Sequence, residues 1–329
     1  MSPSASGPDA ANLATASLNP GPAVAWPAGP PTTAVIELVR SLEITISRRV
    51  DGTLHGNYQG ITPGHGSEPG ESRVYQPGDD VRRIDWNVTA RTNETYVREQ
   101  IADRDLEAWL VVDVSAAMRF GTIAMEKAQV ALASAACVGF LTARNRNRVG
   151  AVLTAGPHIK VMPPRAGRDQ VRAILTAISS PPDSEGLGAS DLAGAIDRVA
   201  RLSKRRGFVT VIADFHGEAW ADALTRIGLR HDVLVIPVHD PRERDVPPIG
   251  LVEMIDPATG RRREIRVTRE VQRRYAEAAE DDLARRGEII GRSGAELLEL
   301  ATDSDWLGTI IKHVRRRRVQ TVNVQALRR

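Results

Sequence analysis

The sequence predicts an α/β protein in which a mainly parallel sheet is flanked by helices on both faces. Three observations lead to this prediction. Apolar runs of strand length recur between residues 107 and 240, and longer segments with apolar residues at helical spacing separate them. The apolar runs are continuous rather than alternating, which is typical of parallel strands covered on both sides. The composition, 42% hydrophobic and 26% charged over 329 residues, is that of a folded globular protein.

The N-terminal part of the chain divides into two regions. Residues 1–31 are rich in Pro, Ala, Ser and Gly and contain one charged side chain, Asp9. Such a segment buries too little apolar surface to offset its ordering entropy, so we predict a disordered tail. Residues 32–106 are predicted to form an N-terminal helix, capped by Thr32 or Thr33, followed by a β-rich charged segment.

Residues 107–313 are predicted to be the main α/β domain. Its expected strands are LEAWLVVDV, the pair RVGAVLTA and HIKVMPP around a Gly-Pro turn, FVTVIADF and HDVLVIPVHD. Its expected helices are AMEKAQVALASAACVGFLTAR, RDQVRAILTAIS, SDLAGAIDRVARLSK and ADALTRIGL. A hairpin, LVEMIDPATGRRREIRV, comes next. The chain from Thr268 to His313 is expected to be helical, and residues 314–329 are expected to be a basic tail.

Several classes of protein are excluded by composition and motifs. Cys137 is the only cysteine, so there is no internal disulfide and no multi-cysteine metal site. Its apolar surroundings predict a small buried residue rather than a reactive thiol. No apolar stretch approaches the roughly 20 residues of a membrane span, and the first 30 residues lack a signal-peptide pattern. We therefore expect a cytoplasmic protein without a membrane span. No glycine-rich nucleotide-binding loop precedes a helix.

Polar residues follow the predicted strands where ligands collect in such sheets. Asp113 and Ser115 end one strand, Asp214 ends another, and a third loop carries Ser190 and Asp191. Converging carboxylates and hydroxyls are hard oxygen ligands suited to Mg²⁺ or Mn²⁺. Each residue alone has a simpler interpretation, because Ser190 or Asp191 can cap the following helix and Asp214 can form a turn.

These loops resemble the metal-ion-dependent adhesion site of von Willebrand factor A domains over about residues 107–240. Matched by position, Asp113 and Ser115 correspond to the first loop, Ser190 to the second loop, where Thr is usual, and Asp214 to the third. The resemblance implies a Rossmann-like fold and a bound Mg²⁺ or Mn²⁺. Ala117 stands where the second serine is expected, which removes one of about six ligands. We therefore expect a recognition surface with weak or absent metal.

The segment ESRVYQPGDDVRRIDWNVTAR, before the main domain, is dense in charge. Its aspartates Asp79, Asp80 and Asp85 have two interpretations. They could be paired general acids and bases, or they could form a structural network of ion pairs with the nearby arginines, with Trp86 packed beneath. The network is favoured because each nearby arginine lowers a carboxyl pKa and makes it a poor proton donor.

This segment, followed by WLVVDVSAAMRFG, resembles the signature of the bacterial domain of unknown function 58 family, from about Leu38 to His313. The resemblance implies a von Willebrand factor A-like domain and a gene placed beside one for a MoxR-type AAA+ ATPase. It further implies an adaptor or chaperone role, with that ATPase and an unknown client protein as partners, rather than catalysis.

Two alternatives to this interaction module remain open. A metal-assisted hydrolase would use Asp113, Asp214 and a bound water. A nucleic-acid or anionic-surface binder would use the run Arg315–Arg318. The hydrolase ranks below the interaction module because the sequence shows neither a second metal cluster nor a convincing base. The arginines have a simpler interpretation as a solvated helix C-terminus, and the net charge of +3 is modest.

Overall fold

The structure is a computed structural model of the chain. It describes residues 33–53, 72–75, 84–92, 94–98, 107–123, 125–143, 147–184 and 186–326. The predicted disordered tail, together with Asp79 and Asp80 of the charged segment, lies outside the described residues.

The described elements alternate along the chain much as the apolar pattern predicts. The helices are α1 (Thr33–Thr53), α2 (Trp86–Thr92), α3 (Lys127–Ala143), α4 (Arg168–Ser179), α5 (Leu192–Leu202), α6 (Ala221–Gly228), α7 (Arg269–Arg292) and α8 (Trp306–Ala326). The strands are β1 (Ser72–Val74), β2 (Tyr96–Arg98), β3 (Glu107–Asp113), β4 (Arg148–Ala155), β5 (His158–Ala166), β6 (Phe208–Ala213), β7 (Asp232–His239), β8 (Gly250–Ile255), β9 (Arg262–Val267), β10 (Glu296–Leu297) and β11 (Leu300–Ala301).

A central seven-stranded sheet has the order β10-β7-β6-β3-β4-β5, and β11 also pairs with β7. All of its pairings are parallel except that between β4 and β5, which are joined by the Gly156 turn and run antiparallel. Gly156 has φ of 58°, a left-handed conformation that a glycine adopts without steric cost. The predicted fold class, a mainly parallel α/β sheet flanked by helices, is confirmed.

Both faces of the sheet are covered, which explains why its strands are apolar at every position. Leu110 and Val112 of β3 face a core shared with α1, α3, α4 and α8, whereas Val111 faces a core shared with α5 and α6. Alternate residues of a strand point to opposite sides, so a doubly covered strand needs apolar side chains throughout. Cys137 is fully buried in α3, as predicted.

The region expected to be one helical stretch, Thr268 to His313, is interrupted, and that expectation is wrong for its middle. Helix α7 ends near Gly294, whose φ of 75° is the left-handed conformation that commonly follows a helix. The next residues form β10 and β11, which pair in parallel with β7. Pairing with a strand edge some sixty residues away is a tertiary effect that helical spacing does not reveal.

The last helix extends beyond the boundary predicted between residues 313 and 314, because α8 continues to Ala326. Arg317 belongs to the fold: its Nε lies 3.0 Å from Glu296 Oε1, and its guanidinium stacks 5.1 Å from the Phe208 ring centroid. Among the described residues no helix is long and apolar enough to cross a membrane.

In the charged segment, β1 and β2 form an antiparallel pair with α2 between them in sequence. Asp85 is buried, and its Oδ1 accepts hydrogen bonds from the backbone N–H groups of Asn87 (3.1 Å) and Val88 (3.3 Å). This carboxylate thus caps α2, which is a structural role. Trp86 is 70% exposed, so the expectation that it packs beneath the charged residues is wrong.

Candidate functional site

The carboxyl edge of the sheet carries an aspartate at or just after the end of three neighbouring strands. Asp113 ends β3, Asp214 follows β6, and Asp240 follows β7. Because parallel strands end at the same edge, the order β7-β6-β3 brings these carboxylates to one side of the molecule. Each of the three has different partners, and the partners determine what each can do.

The Asp113 carboxylate accepts hydrogen bonds from the first and second strand-end loops, which were predicted to converge. Its Oδ1 accepts a hydrogen bond from Ser190 Oγ (2.7 Å) and another from the backbone N–H of Ser115 (2.9 Å). Burial raises the pKa of Asp113 to about 6, and the neighbouring Asp214 carboxylate adds to this rise. The hydrogen bonds from Ser190 and Ser115 lower the pKa but do not reverse the effect. Asp113 is therefore a buried carboxylate whose charged form is destabilised by its surroundings.

The first and second loops are joined a second time beside Asp113. The backbone N–H of Ala116 donates to Ser184 Oγ at 2.9 Å, and Arg119 pairs with Asp183 at 2.8 Å. Ala116 begins a short 3-10 helix that ends at Arg119 and contains the half-buried Ala117. The first loop is therefore anchored by backbone and side-chain contacts even though residue 117 has no hydroxyl.

Asp214 is paired with a lysine that sequence reasoning did not identify. Lys127 Nζ lies 3.4 Å from Asp214 Oδ2 and 2.5 Å from Glu243 Oε1. Burial lowers the pKa of Lys127, but the charges of Asp214 and Glu243 outweigh this effect, and the net shift is upward. Lys127 is only 2% exposed, so it is a buried, protonated cation held by two carboxylates.

The loop after Asp214 has an unusual backbone conformation. Phe215 has φ of 56°, which is uncommon for a residue with a side chain and costs about 1 kcal/mol. Its buried ring packs edge-to-face on Trp220, with the ring centroids 5.0 Å apart. The next N–H, that of His216, donates to Asp214 Oδ1 at 3.2 Å, and Arg286 donates to the Asp214 carbonyl at 2.8 Å. Packing thus fixes a strained turn that orients the Asp214 carboxylate.

Asp240 is a fully buried structural carboxylate. Its two oxygens accept hydrogen bonds from the hydroxyls of Thr122 (2.6 Å) and Thr302 (2.7 Å) and from the backbone N–H groups of Thr122 and Arg242 (2.9 Å each). Burial raises the pKa of Asp240, yet the hydrogen bonds from Thr122 and Thr302 outweigh burial and hold the pKa below its ordinary value. This saturated carboxylate connects the loops after β3 and β7 to the segment between β11 and α8.

The β8–β9 hairpin reaches the second loop at the same edge. The N–H groups of Gly186 and Gly188 donate to the carbonyls of Pro257 (3.1 Å) and Ala258 (2.8 Å). Gly186 and Gly188 have φ values of 71° and 99°, which side-chain-bearing residues adopt only with strain. The loop that presents Ser190 is thus braced by the tip of the hairpin.

The donor set does not fit a divalent ion well. Asp113, Ser115 and Ser190 supply suitable oxygens, but Ala117 supplies none. Asp214 is already neutralised by the Lys127 ammonium, whose charge would repel a second cation nearby. Among the described residues no group of three or more His, Cys, Asp and Glu side chains is arranged to hold a metal.

The structure thus brings two of the four predicted metal ligands, Asp113 and Ser190, into direct contact and places Ser115 beside them. Asp214 lies close enough to influence Asp113 but is directed to Lys127. Asp191 caps α5 by accepting from Gly194 N at 2.8 Å, which is the simpler of its two interpretations. His216 is exposed and contributes its backbone N–H rather than its ring.

Three important residues were missed: Lys127, Glu243 and Asp240. A signal was present for two of them. Lys127 is the one charged residue within the apolar helix α3, and Asp240 directly follows an apolar strand, as Asp113 and Asp214 do. Glu243 lies in the charged stretch HDPRERD, where nothing distinguishes it from its neighbours.

The fold and this edge define an α/β protein with a polar strand-end site stabilised by an internal ion pair. The chain belongs to the family described as Protein of unknown function DUF58, whose model matches residues 71–285. The family membership predicted from the charged segment is therefore confirmed.

Relatives of this chain occur in mycobacteria. An uncharacterized protein of Mycobacterium tuberculosis (strain ATCC 25618 / H37Rv) is 45% identical over 281 residues, which cover 85% of this chain and 89% of the relative. An uncharacterized protein of Mycobacterium avium is 37% identical over 158 residues, covering 48% of this chain and 94% of the relative.

Two solved structures are similar in part. One is the conserved hypothetical protein BatB from Bacteroides thetaiotaomicron, which is 15% identical with a TM-score of 0.39, over 64% of this chain and 98% of that one. The other is an aerotolerance-related membrane protein from Bacteroides fragilis NCTC 9343, which is 14% identical with a TM-score of 0.40, over 64% of this chain and 99% of that one.

Proposed function

We propose that this chain is a non-enzymatic protein-interaction module built on a von Willebrand factor A-like domain. It acts as an adaptor or chaperone component with a MoxR-type AAA+ ATPase, and it binds a partner through the strand-end site around Asp113. The observation that carries the proposal is the convergence on Asp113 of Ser115 and Ser190 from two separate loops. The cytoplasmic location remains part of this proposal.

The surface around Asp113 has the composition of a contact site. Phe120 and Ile123, in the loop after β3, are 40% and 59% exposed, and Leu187, in the second loop, is 42% exposed. Large apolar side chains exposed in the loops of a polar strand-end site are typical of protein interfaces. A partner that covers them would bury apolar surface on the loops that hold the buried Asp113 carboxylate.

The arrangement of hydrogen bonds favours binding over catalysis. Ser190 donates its hydroxyl proton to the Asp113 carboxylate, and the Ser115 backbone N–H fills a second acceptor direction. A metal-assisted hydrolase would need Asp214 to hold a metal-bound water, but Lys127 pairs with that carboxylate. The arginine-based alternative loses Arg317, which is packed against Phe208 and paired with Glu296.

The test is a binding measurement between the purified chain and the MoxR-type ATPase encoded beside it. We expect saturable binding that Asp113→Ala weakens at least about fivefold, because the variant releases Ser115 and Ser190 from their shared carboxylate and a loss of about 1 kcal/mol in binding free energy is about fivefold in affinity. The matched control is Asp169→Ala. Asp169 is 95% exposed at the start of α4, on the amino edge of the sheet, and this variant should bind as the wild type does.

Two results would contradict the proposal. If the wild-type chain does not associate with the ATPase in any buffer, the partner assignment is wrong. If Asp113→Ala and Asp169→Ala bind equally well, the strand-end site is not the contact surface. Manganese-dependent phosphatase or nuclease activity that Asp113→Ala abolishes would instead support the hydrolase alternative.

A further inference from the structure

We propose that the ammonium group of Lys127 is a built-in cation of the strand-end site, with the loop-connecting role that a divalent metal ion has in a von Willebrand-type domain. The statement that partner binding is consequently metal-independent rests on the function proposed above. The role of Lys127 within the chain is independent of that function, since it follows from contacts of the described residues.

The first observation is where the lysine lies. Lys127 is the first residue of α3, and the positive end of a helix dipole disfavours a cation there. It is also 2% exposed, and a buried ammonium is strongly destabilising unless carboxylates compensate it. Both costs imply that its position is set by its contacts with Asp214 and Glu243, not by the helix or the core.

The second observation is that the two carboxylates are oriented toward the ammonium by other groups. Asp214 accepts from the backbone N–H of His216 through Oδ1, which leaves Oδ2 facing Lys127. Glu243 accepts from the backbone N–H of Asp240 through Oε2, which leaves Oε1 facing Lys127. The Lys127 ammonium thus lies between two carboxylate oxygens that other groups orient, as the oxygen ligands of a bound metal ion are oriented.

The third observation is what the ammonium connects. Lys127 follows the loop after β3, Asp214 lies in the loop after β6, and Glu243 lies in the loop after β7. A divalent ion in a strand-end site ties such loops together through shared oxygen ligands. Here one covalently attached charge does so, and the missing hydroxyl at Ala117 is consistent with a site that no longer recruits a free ion.

The experiment titrates the chain alone with Mn²⁺ by calorimetry and by thermal melting. The chains compared are the wild type, Asp113→Asn, Lys127→Met, Lys127→Met/Asp113→Asn and the control Lys204→Met. Lys204 is an exposed lysine after α5. We expect no saturable Mn²⁺ binding by the wild type or by Lys204→Met. Lys127→Met should melt several degrees lower, because it leaves two partly buried carboxylates without their cation. Millimolar Mn²⁺ should restore several degrees of that loss through binding to the folded state.

The double variant distinguishes a site at the strand end from adventitious binding, because the Asp113 charge acts on the neighbouring Asp214 carboxylate and its removal should reduce the Mn²⁺ response. Saturable Mn²⁺ binding by the wild type that Asp113→Asn abolishes would overturn the proposal, as would Lys127→Met without any gain in Mn²⁺ binding. If Lys127→Met is too unstable to purify, the titrations of the wild type and Asp113→Asn still test the proposal, because Mn²⁺ binding at Asp113 in the wild type would overturn it.

The binding and Mn²⁺ experiments distinguish an error in the proposed function from an error in the role proposed for Lys127. If the ATPase does not bind in any buffer, the proposed function is wrong while the Mn²⁺ results still test Lys127. If the ATPase binds only when Mg²⁺ or Mn²⁺ is present and is released by EDTA, the built-in cation is wrong while the interaction module stands.

Discussion

The interior of the central sheet is built from apolar residues, whereas its carboxyl edge is built from polar and charged ones. Between Ala108 and Val112 every residue of β3 is apolar and no more than 2% exposed. One residue further on, Asp113 begins a region of buried aspartates, hydroxyls and a buried lysine. The interior is stabilised by non-directional apolar packing, whereas the edge depends on individually placed hydrogen bonds and charges.

This difference indicates that the residues of the carboxyl edge serve a requirement other than the stability of the fold. An apolar edge would be simpler to stabilise, since replacing buried ion pairs with apolar residues is often neutral or stabilising. Of the three strand-end aspartates, Asp240 is saturated by hydrogen bonds and Asp214 is neutralised by Lys127. Asp113 retains an unfavourable environment, and such residues cluster at functional sites.

The largest expected effect is in the interior. Leu110→Ala removes a side chain that is 1% exposed between β3 and α3, and the resulting cavity should lower the free energy of unfolding by about 3 kcal/mol. Urea denaturation measures this. Leu229→Ala, at a position 83% exposed, should change it by less than about 0.5 kcal/mol. A loss below about 1 kcal/mol for Leu110→Ala would contradict the assignment of this position to the close-packed core.

An effect of at most similar size, with a distinct pH signature, is expected at Asp113. Burial and the Asp214 charge raise its pKa from 3.8 to about 6, so the folded state binds this proton more tightly than the unfolded state. Stability should therefore increase as the pH falls from about 6 toward about 4, by about 1.4 kcal/mol for each unit of pKa shift. Asparagine does not titrate, so Asp113→Asn should lack this gain and be the more stable chain at neutral pH.

The measurement is the difference in unfolding free energy between wild type and Asp113→Asn as a function of pH, in which titrating groups that do not interact with Asp113 cancel. Asp169→Asn is the control, because that carboxylate is 95% exposed and paired only on the surface with Arg172. Parallel pH curves for wild type and Asp113→Asn would show that Asp113 is not in the environment described.

The two regions also differ in how far the sequence predicts them. The interior follows from a local rule: uninterrupted apolar runs such as WLVV indicate a strand covered on both faces. The proximity of Asp113 and Ser190 follows from a topological rule, because both lie in loops at the same sheet edge. The partners of Asp240 follow from neither rule, since Thr122 is 118 residues away in sequence and Thr302 is 62 residues away. The position of the Lys127 ammonium depends on the same kind of distant contact.

The smallest effect on stability is expected at the exposed apolar side chains of the carboxyl edge. Ile123→Ser replaces a side chain that is 59% exposed, so the free energy of unfolding should change by less than about 0.5 kcal/mol. Binding of the ATPase should nevertheless weaken severalfold, because the partner would no longer bury this side chain.

Leu229→Ser provides the matched control for Ile123→Ser. It removes an even more exposed apolar side chain, at the opposite edge of the sheet between α6 and β7, and should alter neither stability nor binding. Equal loss of binding in both variants would indicate nonspecific adhesion through exposed apolar surface. Loss of binding in Ile123→Ser alone would show that the partner contacts the carboxyl edge and not the amino edge. One exposed apolar residue would then matter for binding, although neither matters for the stability of the fold.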